Sequence, residues 1–259
     1  MKTLSLVNQK GGVAKTTTAM ALADYFARAG RKTLLVDFDP QGSLTASFNL
    51  TDDAENPQAL RFLALNKCGI PAKIVHQEEK LDIITSDIGL EKANTELLNL
   101  LGKERYLRRA IDRITQKENY DYVIIDSNPS FSQLTMNVLY ASDCVLVPFK
   151  PEYNSYKGII QLFENIEQMK EIQPNLNVLG FAVTMARATK SAEEAIVTIN
   201  DFAKQQKCQV FSPVIRLGVA CADAPSYGKS VYAYKPESGV AQDYEQLAYN
   251  VLNELEKEE

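Results

Sequence analysis

The chain has 259 residues, 45% of them hydrophobic, which is ample for a sizeable core, and no apolar run approaches the ~18 residues a membrane span needs. A formal charge of −5 argues against a generally basic nucleic-acid binder, and a single lysine ahead of the first apolar run argues against a secretory leader. Cys68, Cys144, Cys208 and Cys221 are widely spaced, form no C-x-x-C pair and are accompanied by one histidine, His76, which argues against a disulfide framework or metal cluster, and reduced thiols in a cytoplasmic setting are expected.

In chain order, Leu4, Leu6 and Val7 read as a first strand, and Thr18 to Ala29 reads as an Ala- and Leu-rich helix with Gly30 just past its end. Between them lies Asn8-Gln9-Lys10-Gly11-Gly12-Val13-Ala14-Lys15-Thr16-Thr17. A glycine pair after a first strand lets backbone N–H groups curl around phosphate oxygens. The helix N-terminus behind it adds partial positive charge, and Lys15 adds a full one. Thr16 can place a hydroxyl on Mg²⁺. Gly11, Gly12, Val13, Ala14, Lys15, Thr16 and Thr17 thus form a candidate nucleotide-phosphate cradle. The common pattern G-x-x-x-x-G-K-[ST] does not fit, because its outer glycines would fall at Gln9 and Ala14. The pattern present is K-G-G-x-x-K-[ST], with a second lysine, Lys10, ahead of the glycines.

Strands are expected over 3–8, 32–38, 81–86, 121–126, 144–149, 177–185 and 209–215, and helices over 17–29, 57–66, 89–101, 103–118, 132–141, 155–171, 191–206 and 239–257. This alternation predicts an α/β fold in one domain over 1–259: a mostly parallel twisted sheet with helices on both faces, and ligands at the carboxyl ends of the strands. The second strand ends in Asp37-Phe38-Asp39-Pro40-Gln41-Gly42, whose two carboxylates suit Mg²⁺ handling and water positioning near the cradle. Tyr120-Asp121-Tyr122-Val123-Ile124-Ile125-Asp126 has four apolar positions before an aspartate, the form of a strand whose terminal carboxylate serves Mg²⁺. From Gly180 to Lys235 there are seven Lys or Arg against four Asp or Glu, a local basic excess on an acidic protein. Leu217 to Glu237, with Gly218, Pro225, Gly228 and Pro236, is the least regular stretch and reads as a functional loop.

Together these motifs resemble the ParA/MinD-type ATPases, whose deviant Walker A motif carries the extra lysine, and the resemblance implies a P-loop NTPase architecture binding ATP and Mg²⁺. It implies catalytic roles for Lys10, Lys15 and Asp39: Lys10 reaches a partner subunit's nucleotide across a homodimer interface, and Asp39 orients the attacking water in a switch segment. Thr16, Asp126 and Asp39 are its implied Mg²⁺ residues. The family usually continues the aspartate strand with D-x-P-P-S; here Asn128 stands where the first proline would be, which leaves the conformation of that loop open. The run from Ile215 and Arg216 to Asp223-Ala224-Pro225-Ser226-Tyr227-Gly228-Lys229 is similar to a segment of partition ATPases, with Asp223 where they usually have Glu. By that match Arg216 and Lys229, together with Arg187 and Lys190, are candidate contacts to non-specific DNA. Pro148 to Tyr153 resembles a P-x-x-x-E-Y/F run that precedes a dimer-facing or regulatory helix.

The strongest resemblance is to the short ParA form with no helix-turn-helix domain ahead of the loop. It implies an ATP-dependent homodimer in the cytoplasm, associated with the nucleoid, that segregates a plasmid or chromosome while a ParB-like centromere-binding partner stimulates hydrolysis. Two related readings share the motifs: a positioner of protein cargo, and a MinD-like membrane-associated ATPase. The latter would carry a basic amphipathic C-terminal helix, whereas this chain ends Glu254-Leu255-Glu256-Lys257-Glu258-Glu259, which anionic lipid repels.

Overall fold

The computed structural model describes residues 1–51, 75–152 and 155–257. The helix expected over 57–66, and Cys68, lie outside the described residues. Within them eight strands form one sheet: β1 (Lys2–Leu6), β2 (Thr33–Phe38), β3 (Val75–Glu78), β4 (Leu81–Ile84), β5 (Tyr122–Ser127), β6 (Cys144–Phe149), β7 (Asn177–Val183) and β8 (Gln209–Phe211). Their spatial order is β3-β4-β2-β5-β1-β6-β7-β8. Every pair is parallel except β3 with β4, so the mostly parallel sheet holds, with an antiparallel edge strand that strand–helix alternation did not foretell.

The helices are α1 (Lys15–Arg28), α2 (Ser43–Ser47), α3 (Glu91–Leu98), α4 (Tyr106–Thr115), α5 (Gln133–Ala141), α6 (Ser155–Lys170), α7 (Lys190–Gln205), α8 (Val219–Asp223), α9 (Val231–Tyr234) and α10 (Gly239–Lys257). Strand residues alternate between two cores. Leu34 and Val36, with Val123 and Ile125, face α3 to α7; Leu35 and Ile124 face α1, α2 and α10. Burial on both faces is why these strands read as continuous apolar runs rather than alternating ones. Ile124 is fully buried in the central strand β5. Ile124→Ala is expected to cost roughly 2–5 kcal/mol of stability, measured by denaturant titration.

Several boundaries differ from expectation. The strand foreseen over 209–215 ends at Phe211, before the cis Ser212–Pro213 bond, since proline offers no ladder donor. Those foreseen over 3–8, 81–86 and 177–185 also stop early, at Leu6, Ile84 and Val183, because the chain turns away at the carboxyl edge to build the site. The stretch 217–237 is more regular than its Gly and Pro content suggests. It holds α8, a 3₁₀ turn over Ala224–Tyr227 with Pro225 in its first turn, and α9, capped by the Ser230 hydroxyl accepting from the Ala233 amide at 3.2 Å.

Strand order decides where chemistry can occur. β1 lies between β5 and β6, while the chain leaves β1 for β2 on the far side of β5. The carboxyl ends of β1, β2, β5 and β6 therefore meet at a topological switch point, where connections diverge and leave a crevice.

Candidate functional site

The segment Asn8 to Ala14 turns off β1 at this crevice and enters α1. Gly12 has φ +69° and Ala14 φ +60°, both in the left-handed region. Glycine takes this freely, whereas Ala14 pays about 1 kcal/mol for it. A Cβ built on Gly11 or Gly12 would meet nothing within 4 Å, so the loop opens onto free space. No side chain caps α1, and its first-turn N–H groups face this opening as an uncapped donor set. α1 begins at Lys15, two residues earlier than expected, which places Lys15, Thr16 and Thr17 in that first turn. Val13 is buried and serves the loop through its backbone.

Three buried groups hold the loop in shape. The Asn8 amide nitrogen donates to the Pro148 carbonyl at 2.7 Å, while its oxygen accepts from the Lys10 backbone nitrogen at 2.9 Å. The Thr184 hydroxyl donates to the Val13 carbonyl at 3.0 Å. Lys15 is only 8% exposed, and its ammonium donates to the Asn8 carbonyl at 3.1 Å. Burial pulls its pKa down, opposed by the charges of Asp126 and Asp39.

Behind the loop, Thr16 Oγ1 donates to Asp126 Oδ2 at 2.6 Å, and Asp126 Oδ1 is buried with no partner. Asp37 sits beside Asp126 in the β2–β5 register. It accepts from the Thr45 amide at 2.8 Å, the Thr45 hydroxyl at 2.7 Å and the Asp39 amide at 3.2 Å. Burial pushes the Asp37 carboxyl up to about 6 despite these bonds, and burial, then the charge of Asp37, raises Asp126 as well. Asp39 is half-buried, and its Oδ1 accepts from the Gln41 amide at 2.9 Å, closing the turn into α2. It joins the group through its charge, not by contact with Thr16 or Asp126. No cluster of three or more His, Cys, Asp or Glu able to hold a metal exists among the described residues. One buried carboxylate with an unpartnered oxygen and one hydroxyl is instead the hard-oxygen set that suits Mg²⁺ shared with phosphates.

Lys10 lies at the mouth of the loop. Its ammonium donates to Glu152 Oε2 at 2.5 Å and to the Ser155 hydroxyl at 3.0 Å, at the start of α6. Lys150 meets the other oxygen of Glu152 at 2.5 Å. The two ammonium groups pull the Glu152 carboxyl down to about 2. Asn128 closes its loop differently from a proline: its amide nitrogen donates to Ser130 Oγ at 2.7 Å and its oxygen accepts from Thr135 Oγ1 at 2.9 Å.

Beside the loop is a mainly apolar cavity of about 280 Å³. Gly12, Ala14 and Thr17 form one wall, Ile215 to Gly218 the opposite one, and Met185 and Tyr244 also line it. Ala186 bridges Arg216 in parallel, so the candidate basic residues Arg187 and Arg216 extend from adjoining segments. Arg187, Lys190 and Lys229 are exposed and make no ion pair among the described residues. Arg216 differs, since its guanidinium is bound to Asp243. Glu152, Thr184 and Asp243 were not singled out as functional from sequence. Only Glu152 had a local signal, as the acid of the Pro148–Glu152 run.

Residues 1–178 match a family model described as an AAA domain. The sporulation initiation inhibitor protein Soj of Bacillus subtilis is 35% identical over 252 residues, covering 96% of this chain and 98% of that one. The chain belongs to the Soj/ParA family of chromosome-partitioning ATPases. The chromosome-partitioning ATPase Soj of Treponema pallidum is 34% identical, covering 97% of each chain. Among solved structures, cobyrinic acid a,c-diamide synthase of Mycobacterium smegmatis, with bound ATP analog and magnesium, superposes with a TM-score of 0.84 at 30% identity, covering 100% of this chain and 97% of that one. Its name denotes a different chemistry, so the likeness carries the P-loop fold and the nucleotide type, and the Soj relatives carry the family. No helix among the described residues is long and apolar enough to cross a membrane.

Proposed function

We propose that this chain is a partition ATPase that binds ATP with Mg²⁺, dimerises in that state and holds DNA without sequence preference until a ParB-like centromere-bound partner stimulates hydrolysis. Its working place is then the cytoplasm, on the nucleoid. The observation that carries the reading is the Thr16–Asp126 pair set behind a loop whose N–H donors no side chain caps. The loop amides and Lys15 bind and orient the polyphosphate, the cavity bounded by Gly12 and Ile215 takes the base, and Asp39 orients water at the crevice. Thr16 and Asp126 would hold Mg²⁺, which supplies charge neutralisation on the phosphate oxygens when bound. Lys10 is held by Glu152 within one chain, and release toward a second subunit would bring its charge to that subunit's phosphates.

DNA binding is the arm that separates this reading from a positioner acting on other surfaces. Binding of unrelated duplexes is expected with ATP and not with ADP. Replacing both Arg187 and Lys190 by alanine should weaken every duplex alike and reduce the slope of log affinity against log salt by about two. Gel shifts over a salt series check this. An unchanged slope would remove these two residues from the interface, and no binding in any nucleotide state would remove DNA from the function.

A further inference from the structure

Asp243, on the first turns of α10, is only 8% exposed at its side chain, yet it spends its whole carboxylate on one residue. Its Oδ2 accepts from the Arg216 backbone nitrogen at 3.1 Å and from Nε at 2.7 Å, and its Oδ1 accepts from Nη2 at 2.8 Å. Burying a carboxylate is costly unless charge and hydrogen bonds compensate it, and a forked guanidinium with a backbone amide does both. Arg216, at 62% side-chain exposure, has no such need of its own, because water would satisfy it. The grip therefore serves the position of the chain at 216 rather than the solvation of the arginine.

Close contacts on either side agree. A Cβ on Gly239 would stand 2.6 Å from Arg216 Nη1, so the guanidinium lies flat on the first turn of α10. A Cβ on Gly218 would stand 2.6 Å from Val240 Cγ1, so the chain is pressed to the same turn two residues later. The segment pinned in this way is the wall of the cavity that faces Gly12, Ala14 and Thr17. Tyr244, the residue after Asp243, lines that cavity too, and its hydroxyl is 3.4 Å from Thr18 Oγ1 on α1.

We propose that Asp243 is a positioning residue for nucleotide binding: by gripping Arg216 at its backbone and its guanidinium, it sets the distance between the 215–218 wall and the phosphate loop, and so the affinity for the base of the nucleotide. This rests on the reading that ATP binds with its base in this cavity. In that reading the phosphate contacts come from residues 11–17 and do not depend on the grip, so the base and the polyphosphate respond differently when it is broken.

The test measures equilibrium binding of Mg·ATP and of Mg·tripolyphosphate, which lacks base and sugar, to the full chain and to Asp243→Asn and Arg216→Lys. Arg216→Lys keeps the positive charge and loses the fork, and it leaves the buried carboxylate paired, so it covers the case in which Asp243→Asn does not fold. The expected result is a loss in ATP affinity of about tenfold in both variants, with tripolyphosphate affinity unchanged. Unchanged ATP affinity in Arg216→Lys, or equal losses for the two ligands, would overturn the proposal while leaving ATP binding itself in place. A wild-type chain that binds tripolyphosphate as tightly as ATP would overturn both the proposal and the placement of the base.

Discussion

With Lys15 replaced by alanine, addition of ATP and Mg²⁺ is expected to produce no dimer, and hydrolysis is expected to fall on the order of 10²–10³-fold or more. The reason lies in how this lysine is stored. Its ammonium is held among the Asn8 and Lys10 carbonyls with its charge disfavoured by burial. Those carbonyls hold it weakly enough to be exchanged for phosphate oxygens, which carry full negative charge in the same place. No other ammonium of the loop can substitute, because Lys10 is turned outward onto Glu152. The fold is expected to survive, since Lys15 makes no ion pair among the described residues and its burial opposes its charge. Light scattering with and without nucleotide, beside a thermal melt, checks both halves. An ATP-dependent dimer in a well-folded Lys15→Ala protein would refute the nucleotide switch.

Much of this site was legible locally because its parts are strand ends. Lys10 to Thr17 follows β1, Asp39 follows β2 and Asp126 lies in β5, and each belongs to a short motif read without knowing its neighbours. The parallel sheet was legible for the same reason: strands buried on both faces are apolar throughout, as Val123 to Ile125 are. What escaped were pairings across the chain. Glu152 meets Lys10 across 142 positions and Thr184 meets Val13 across 171, and these contacts exist because β6 lies next to β1 and β7 next to β6 in the sheet. Strand order is a property of the whole fold and leaves no mark in a ten-residue window. Asp243 is the hardest case. It sits in an amphipathic helix among other acids, and only its burial against Arg216 separates it from Glu245, which stays more than half exposed. The antiparallel β3 escaped for a related reason, being joined to β4 by a short turn rather than by a crossover helix.

Asp126→Asn is expected to trade activity for stability. In the chain without nucleotide, Asp126 is a buried carboxylate with one oxygen unpartnered and Asp37 beside it. Both carboxyls have folded-state pKa values raised above the ordinary 3.8. For an acid the sign follows directly. The folded state holds the proton more tightly than the unfolded one, so stability is full below the unfolded pKa and declines as pH rises through the folded values, about 6 for Asp37 and upward for Asp126. Asparagine keeps the acceptor for the Thr16 hydroxyl and removes one charge, which also relieves Asp37. The variant without Mg²⁺ should therefore melt higher than the wild type at pH 8, with the gap closing toward pH 4 as the wild-type carboxyls take up protons. Hydrolysis should be lost, because a neutral amide attracts a dication poorly and the second oxygen that the carboxylate offered is now a donor. Melts across pH, run with EDTA and again with Mg·ATP, read the two effects separately. A variant that melts lower than the wild type at pH 8 would mean that Asp126 is held for the fold. The expected pattern instead means that this strand end carries an unfavourable charge whose use appears when nucleotide and metal arrive.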